Sequence, residues 1–464
     1  MARKLVLGAA AVVVVVGGAA LVAPYFIGQT VESRFRAQVA AISQRTDIPI
    51  RVTAYRRHWF SADATTTARL GTRRVTLHYA IHHGPLPGFN LATIKTHWSA
   101  ANLALTKGRD KPVVSAHTTV DFDGDSTTTI HAGQLEGDVT DHDGRQVHVV
   151  WQGLDGQLRV DDKQHLTLKS PGLRLQRDGV TSGYKNLTLT AQGARLRSGG
   201  LDELQPRDLV GRSDVEFGQV FFRGPGNRHN MTFSGALESR SSVPKANRWN
   251  FHTALKLRDL ALPSRDASTA ALKIHAATLE AGFKDLNAHR VLALLDAIQP
   301  YQRQRVGADA DEVKRINARI GALMLKRLPG LLTDDSVLQI GLPTLDTGRG
   351  AAGMQVTASL QPATVLSNPD RADRLSGLLQ RAAVKASAHV DKPVMQWLLA
   401  QSEEPAKGRK ALANLAQERL IGMQKGAIES SFYMDHKTMR VNGHALPDRM
   451  RRALLMGLFA SGAH

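Results

Sequence analysis

Three patterns of apolar and polar residues follow one another along the chain. Residues 5–27 contain no charged side chain, and Ala, Val and Gly fill the centre of this segment. Residues 30–43 carry apolar side chains at the spacing of one helix face: Val31, Phe35, Val39 and Ile42. From about residue 48 to residue 283, short runs alternate between apolar and polar side chains. We therefore predict an apolar helix, a short amphipathic helix and then a long antiparallel β-sheet with one apolar face.

The predicted strands are rich in Val, Thr and Leu, and Asp-Gly pairs separate several of them. Clear examples of the strand pattern are residues 74–79, 146–151, 165–168 and 185–190. The pairs that fit two-residue hairpin turns are Asp123-Gly124, Asp143-Gly144, Asp155-Gly156 and Asp178-Gly179. No strict repeat is present, so the region is either one curved sheet or several stacked units.

Helical spacing returns in the C-terminal half of the chain. Residues 286–332 carry an apolar stripe at Val313, Ile316, Ile320 and Leu323. Residues 369–385 and 407–425 have similar patterns. Asp391 before Lys392-Pro393 is typical of a helix start with proline in its first turn.

These elements predict an α+β protein: a single N-terminal transmembrane helix, then an extended, mostly antiparallel β-sheet region with helical insertions in the C-terminal half. Residues 337–360 are interpreted as two strands, and residues 427–443 as a closing hairpin. The predicted boundaries are a cytoplasmic tail at 1–4, a transmembrane anchor at 5–27, an amphipathic connecting helix at 28–46, a β-rich periplasmic region at 47–284 and a mixed α/β periplasmic region at 285–464.

Residues 5–27 have the length of a membrane span. As a helix, these 23 residues are about 34 Å long, close to the ~30 Å hydrocarbon core of a bilayer. Arg3 and Lys4 precede the segment, as expected for a cytoplasmic N-terminus. The alternative is a cleaved signal peptide, but Pro24 follows the small residues, which is unfavourable for cleavage. No other run of 18 or more apolar residues occurs in the sequence, so we expect one retained anchor in a bacterial inner membrane.

The charge balance favours anionic partners. The chain of 464 residues contains 60 Lys+Arg and 41 Asp+Glu, a formal net charge of +19. The basic residues are spread along the sequence, which suits an anionic membrane surface and argues against a nucleic-acid partner. The chain has no cysteine, which excludes disulfides, thiolate catalysis and iron–sulfur sites.

Two clusters of polar residues have the residue types of ion sites. His78, His82 and His83 lie close together, and His78 and His82 share one face of a predicted strand, but a metal site needs three or four converging ligands. We interpret this segment as a strand end that turns at Gly84-Pro85. The residues 121–125 begin like a calcium loop, but Ser126 and Ala132 stand where its glycine and glutamate belong, which favours a β-turn. No metal or cofactor is predicted.

The sequence contains no complete catalytic signature. Ser182-Gly183-Tyr184-Lys185 satisfies S-x-x-K, but the S-D-N and K-T-G partners are missing and the serine falls between predicted strands. No catalytic residue is therefore assigned, and we expect a protein that is not an enzyme.

Two segments each allow a purely structural and a functional interpretation. The stripe from Val313 to Leu323 is either the buried face of a helix on a sheet or a surface for lipid or a partner helix. Arg56 and Arg57, next to Trp59 and Phe60, either contact lipid headgroups or form a solvated sheet edge.

Four segments resemble a known family. Residues 55–62, with the sequence YRRHWFSA, are similar to the Y-x-R-G-x-F-S-S segment of the YdgA-like bacterial family of unknown function, with His58 at the glycine position. Residues 81–85, 388–393 and 441–447 resemble that family's H-G-P segment, its strand-to-helix step and its closing V-N-G-x-x-L pattern. The resemblance implies an inner-membrane-anchored periplasmic protein and brings no assigned reaction.

Three functions remain open at this point. The first is a non-enzymatic envelope protein that binds a lipid-like or amphipathic ligand. The second is a structural or assembly partner of other envelope proteins, as a homodimer or a scaffold. The third is an unrecognised envelope hydrolase.

Overall fold

The computed structural model describes most of the chain beyond the predicted anchor. It covers residues 49–446 except 71–72, 84–91, 100–111, 124, 141–144, 195–204, 226–229, 246, 263–271, 306–309, 362–380, 402–403, 425 and 436. It adds single helical positions between residues 32 and 43. The described chain divides into two compact units, residues 1–232 with 240–242 and 291–325, and residues 233–239 with 243–290 and 326–464.

Strands account for most of the described residues. They are β1 Ile50–Arg57, β2 Ser61–Leu70, β3 Arg73–His83, β4 Ala92–Ser99, β5 Pro112–Val120, β6 Ser126–Ala132, β7 Leu135–Thr140, β8 Gln146–Trp151, β9 Leu154–Val160, β10 Lys163–Arg177, β11 Val180–Ala194, β12 Gly211–Arg223, β13 Met231–Lys245, β14 Arg248–Leu262, β15 Leu272–Asn287, β16 Val337–Asp346, β17 Ala351–Leu360, β18 Ala382–Asp391, β19 Gly422–Gln424, β20 Ala427–Met434, β21 Met439–Val441 and β22 His444–Ala445. The helices are α1 Ala288–Arg305, α2 Ala310–Leu331, α3 Lys392–Gln401 and α4 Pro405–Gln417, with a 3₁₀ turn at Pro206–Leu209. The strand pairs described below are all antiparallel, which confirms the predicted sheet type.

In the first unit, the strands form an antiparallel meander. Each strand from β1 to β5 pairs with the next one along the chain. β6 then pairs with β9, and the order continues through β10 and β11 to β12. The hairpin β7–β8 joins this sheet through the pairing of β8 with β10. Along β4, Ile94 and Trp98 are buried while Lys95 and His97 are exposed, so one face of the sheet forms the core.

The predicted amphipathic helix is confirmed at its described positions and forms part of this core. Phe35 is fully buried and its ring lies 5.9 Å from that of Tyr55 and 5.2 Å from that of Tyr79. Val39, one helical turn later, is also buried. Val31 and Ile42, the other two residues of the predicted stripe, lie outside the described residues. The helix therefore covers the sheet with the face that its spacing indicated.

The second unit contains its own antiparallel series. β14 pairs with β15, and the order continues through β16, β17 and β18 to β20 and β21. The predicted strands at 337–360 and the closing hairpin are confirmed by β16, β17, β20 and β21. Ile274 and Ala277 form a small buried cluster, and Trp397 of α3 packs against it, as do Leu342 and Leu345.

The Asp-Gly pairs did not all form turns. Asp178 and Gly179 have φ of 48° and 74° and join β10 to β11, as a primed hairpin turn requires. The prediction for Asp155-Gly156 was wrong, because both residues lie inside β9 between β6 and β10. A Cβ on Gly156 would lie 2.5 Å from Leu168 Cδ2, so close packing explains this glycine. Gly124 and the pair Asp143-Gly144 lie outside the described residues.

The helix predictions were right in position and partly wrong in extent. α1 and α2 confirm helical structure within 286–332, and α3 begins after Asp391 as predicted. The predicted helix at 407–425 ends early, since α4 stops at Gln417 and β19 follows; Arg419, at φ 59°, reverses the chain there. The predicted helix at 369–385 is wrong at its C-terminal end, where residues 382–385 start β18 between β17 and β20. Residues 369–380 lie outside the described residues.

The predicted anchor at residues 5–27 also lies outside the described residues. In the part of the chain that the structure describes, no helix combines the length and apolar character needed to cross a membrane.

Candidate functional site

The second unit presents a sheet face built almost entirely from apolar side chains. Residues directly opposite one another on paired strands point to the same face. One such row crosses seven strands, with apolar side chains throughout: Phe251, Phe283, Leu338, Ala358, Val384, Met434 and Met439. The next row on this face has one polar member, its first: Thr253, Ala281, Ile340, Val356, Ala386, Phe432 and Val441.

A third row extends this surface on four of the strands. Leu255 pairs with Leu279 on β14 and β15, and Leu342 pairs with Met354 on β16 and β17. We call the side formed by these three rows the apolar face. Six steps of about 4.8 Å between strands and two steps of about 6.8 Å along them give it an area of about 400 Å².

The opposite side of the same strands is polar. The row between the first two rows of the apolar face reads His252, Gly282, Gln339, Thr357, Lys385, Tyr433 and Arg440. Across the first two rows of the apolar face and the polar row between them, the strands keep one register, because a slip by one residue would mix the two faces. The sheet is therefore amphipathic, with water-compatible groups on one side only.

Part of the apolar face is open to solvent. Leu279, Ile340 and Met354, on three neighbouring strands, are 45%, 49% and 50% exposed. In a closed protein core such side chains lose nearly all their contact with water. The largest contiguous exposed apolar patch on a typical soluble protein is itself about 300–600 Å², and it is often a binding surface. The apolar face is therefore the candidate functional site.

A charged turn fixes the β20–β21 edge of this sheet. Asp435 accepts hydrogen bonds from the backbone N–H groups of Lys437 and Thr438 at 2.8 and 2.6 Å and from the Tyr433 hydroxyl at 2.9 Å. Desolvation opposes the charge, but these hydrogen bonds prevail and lower the pKa of Asp435 to about 2. The hydrogen bond to Asp435 raises the pKa of Tyr433. The turn thus holds Met434 and Met439 opposite each other at the end of the apolar face.

The first unit carries a second concave surface, on the exposed side of its sheet. A depression of about 820 Å³ is lined by Lys95, His97, His117, His131 and Asp155, among others. His131 Nδ1 lies 2.7 Å from Asp155 Oδ1. Desolvation, and then the nearby His78, lower the pKa of His97, so it is neutral over a wider pH range than a free histidine. Sequence reasoning missed this group, because its members come from strands far apart in sequence.

The histidine segment does not form a metal site with the residues that the structure describes. His78 stacks on His97 with ring centroids 5.6 Å apart, whereas His82 lies four residues further along β3, opposite Ser61 and Thr93. His83 lies opposite Ala92 at the end of β3. Within the described ranges, no three His, Asp or Glu side chains are grouped to hold a metal ion.

The other motif candidates have structural explanations. The backbone N–H of Asp125 donates to Asp123 Oδ1 at 3.1 Å, which is a turn of the kind the sequence favoured. Ser182 lies inside β11, not between strands, and is opposite Leu175 and Phe222. A Cβ on Gly183 would lie 1.9 Å from the Leu173 carbonyl oxygen, so the S-x-x-K segment needs its glycine for strand packing.

The helical stripe at 313–323 and the segment 56–60, for which the sequence allowed two interpretations, differ in burial. Of the helical stripe, Ile316 is fully buried and Val313, Ile320 and Leu323 are partly buried, which agrees with a packed helix face. Trp59 and Phe60, in contrast, are 92% and 57% exposed at the turn between β1 and β2. Arg56 and Arg57 are exposed beside them.

Together, fold and candidate site describe a β-sheet protein with an open apolar face. A family model of a bacterial protein of unknown function, DUF945, matches residues 2–448. The chain therefore belongs to this bacterial family. Comparison with curated proteins and with solved structures finds no match. The match agrees with the bacterial family of unknown function inferred from the motifs; the YdgA-like designation and the membrane anchor stay predictions.

Proposed function

We propose that this protein is a non-enzymatic component of the bacterial cell envelope that holds a lipid-like or amphipathic ligand on its apolar face. The observation that carries the proposal is the apolar face itself: two apolar rows cross seven strands, and three large side chains on this face, Leu279, Ile340 and Met354, are half exposed. Burying apolar surface is the main favourable term in such binding, at roughly 25 cal/mol per Å². A ligand with a long apolar part gains most from a surface that is long, continuous and apolar.

The proposed location is the inner membrane, with the N-terminus in the cytoplasm and the bulk of the chain in the periplasm. Residues 5–27 supply the anchor, and Arg3 and Lys4 keep the N-terminus inside. The net charge of +19 suits a protein that works beside anionic headgroups. An acyl chain is at hand in this setting, and the apolar face offers it a protein surface instead of water.

The test compares lipid that co-purifies with the full chain and with two charge variants. After transfer from membranes into amphipol, the intact protein is expected to retain more lipid per chain than Met354→Glu. The matched control is Gln355→Glu, which adds the same charge one residue away on the polar face. Lipid held around the anchor contributes equally to all three. Equal lipid content in the three proteins would contradict the proposal.

A second function, as an assembly partner of other envelope proteins or of a second copy, is favoured by a separate observation. Leu398 of α3 and Leu415 of α4 are 47% and 37% exposed in the second unit. Apolar side chains on helices can form a partner contact. In the same preparation, native mass spectrometry is expected to give a dimer or a co-purifying protein if this role is the principal one. Loss of that species in a Leu398→Glu, Leu415→Glu variant, with lipid content unchanged, would favour it over ligand binding.

A further inference from the structure

The turn between β1 and β2 exposes two aromatic rings to solvent. Trp59 is 92% exposed and Phe60 57% exposed, and their ring centroids lie 6.0 Å apart. The turn is tight, because the His58 backbone N–H donates to the Ser61 carbonyl at 2.8 Å. Arg57 faces Ala62 directly across the hairpin. A tryptophan held this far from the protein by a short, hydrogen-bonded turn is unusual for a surface in water.

The charges around the turn are mainly positive. Arg56 and Arg57 are exposed, and Asp63, which lies opposite Arg56, is also the partner of His58 at 3.2 Å. Two guanidinium groups therefore face one carboxylate. Trp with Arg is the pairing that occupies the membrane–water interface, where the ring enters the headgroup region and the cation meets lipid phosphate.

The direction of the preceding helix places its first turn at the same end of β1 as the β1–β2 turn. The backbone N–H of Ile50, at the start of β1, donates to Ser43 Oγ at 3.0 Å. Phe35 contacts Tyr55, near the end of β1. The helix therefore runs antiparallel to β1, and its first turn lies at the strand end that leads into Trp59.

The chain that precedes this helix ends close to the same place. Five residue-to-residue steps lead from position 27, the end of the predicted anchor, to position 32, with residues 28–31 between them. They span at most about 17 Å when fully extended. The chain length therefore keeps the end of the predicted anchor within about 17 Å of the helix end nearest the turn.

We propose that the β1–β2 turn, residues 56–60, docks into the surface of the membrane that holds the anchor, with Trp59 and Phe60 in the headgroup region and Arg56 and Arg57 on anionic lipid phosphates. This contact goes beyond the proposed ligand on the apolar face and does not depend on it. It gives the first unit a second attachment, so the sheet has a defined orientation on the bilayer. Phe122 is also exposed at this end of the sheet, but Asp121 and Asp123 flank it, so the docking is confined to the β1–β2 turn.

Because the chain has no native cysteine, an introduced cysteine can be labelled at one known position. Full chains carrying Phe60→Cys or, as control, Gln157→Cys on exposed β9 are labelled with a polarity-sensitive fluorophore and reconstituted into vesicles of phosphatidylcholine with phosphatidylglycerol. Quenching by nitroxide lipids is expected to be at least about threefold stronger at position 60 than at position 157. Arg56→Gln with Arg57→Gln is expected to reduce it, and pure phosphatidylcholine vesicles to do the same.

Two outcomes overturn the proposal. The first is equal lipid quenching at both positions in protein that floats with the vesicles. The second is a label at position 60 that is shielded from aqueous acrylamide but untouched by lipid quencher, which indicates a protein contact, such as a second copy. Trp59→Ser, at a side chain almost fully exposed in the fold, is expected to weaken quenching of the label at position 60 without changing the unfolding midpoint.

Discussion

Replacing Ile340 by glutamate perturbs the centre of the apolar face most selectively. About half of this side chain is exposed and available to a ligand, as for Leu279 and Met354. Full burial of such a side chain is worth about 1.5–3 kcal/mol, so the exposed half supplies roughly 0.8–1.5 kcal/mol on binding. The three residues together supply about 2–4.5 kcal/mol, and each 1.4 kcal/mol is a factor of ten in affinity.

Ile340→Glu removes one of these contributions and adds a carboxylate that an apolar ligand would have to desolvate. We expect at least a tenfold loss of affinity for a fluorescent fatty acid, measured by titration of the full chain in amphipol. The buried half of Ile340 predicts a loss of about 1 kcal/mol in the free energy of unfolding, small enough for the fold to survive.

The matched control is Gln339→Glu, which places the same charge one residue away on the polar face. Its affinity is expected to stay within about twofold of the parent, since the charge remains in water. Equal affinity in the parent and Ile340→Glu, with both folded, would refute the reasoning. An equal loss in both variants would show that net charge, not the apolar face, governs binding.

Three further predictions concern stability. Burial and the nearby His78 lower the pKa of His97, so the unfolded chain binds the proton more readily than the folded chain. The contribution of His97 to the free energy of unfolding is therefore present above its ordinary pKa of 6.5 and is lost as the pH falls. His97→Gln is expected to reduce this loss in urea melts between about pH 7.5 and 5. Asp435 has a pKa of about 2, so its contribution to the free energy of unfolding is present above its ordinary pKa of 3.8 and is lost towards pH 2. Asp435→Asn is expected to lower the free energy of unfolding by about 1–2 kcal/mol at pH 7 and to make its decline in acid shallower. Gly183→Ala brings a Cβ to 1.9 Å from the Leu173 carbonyl oxygen and is expected to lower the thermal midpoint by several degrees, whereas Gly193→Ala, with its nearest atom at 3.9 Å, is expected to change it little.

The local sequence pattern predicted the sheet and most of the helices, because each strand shows its own alternation of apolar and polar residues. The stripe Phe35–Val39 packs as its spacing indicated, and the β10–β11 turn forms at Asp178-Gly179. The errors arose where tertiary pairing overrode local signals. Gly156 is a packing glycine inside β9, and residues 382–385 join β18 because β17 and β20 flank them on both sides.

The sequence could predict the type of the candidate site, an apolar sheet face, but not its extent. Alternation in single strands indicated that one face is apolar, but the continuity of that face depends on cross-strand register. Phe251 and Met439 end one row although 188 positions separate them in the sequence. The half exposure of Ile340 likewise depends on what covers the sheet, which periodicity does not report. The sequence placed Trp59 and Phe60 beside Arg56 and Arg57, but only the direction of the helix at 32–43 shows that its first turn lies at the same end of β1 as these rings.

The most direct test of ligand binding is site-specific photocrosslinking in living cells whose phospholipids carry radioactive phosphate. A benzoylphenylalanine at position 340 samples the apolar face, and one at position 339 samples the polar face of the same strand. We predict a radiolabelled, lipid-crosslinked chain with Ile340→benzoylphenylalanine and none above background with the neighbouring substitution. Equal labelling at both positions, or crosslinks from position 340 to protein alone, would contradict the account.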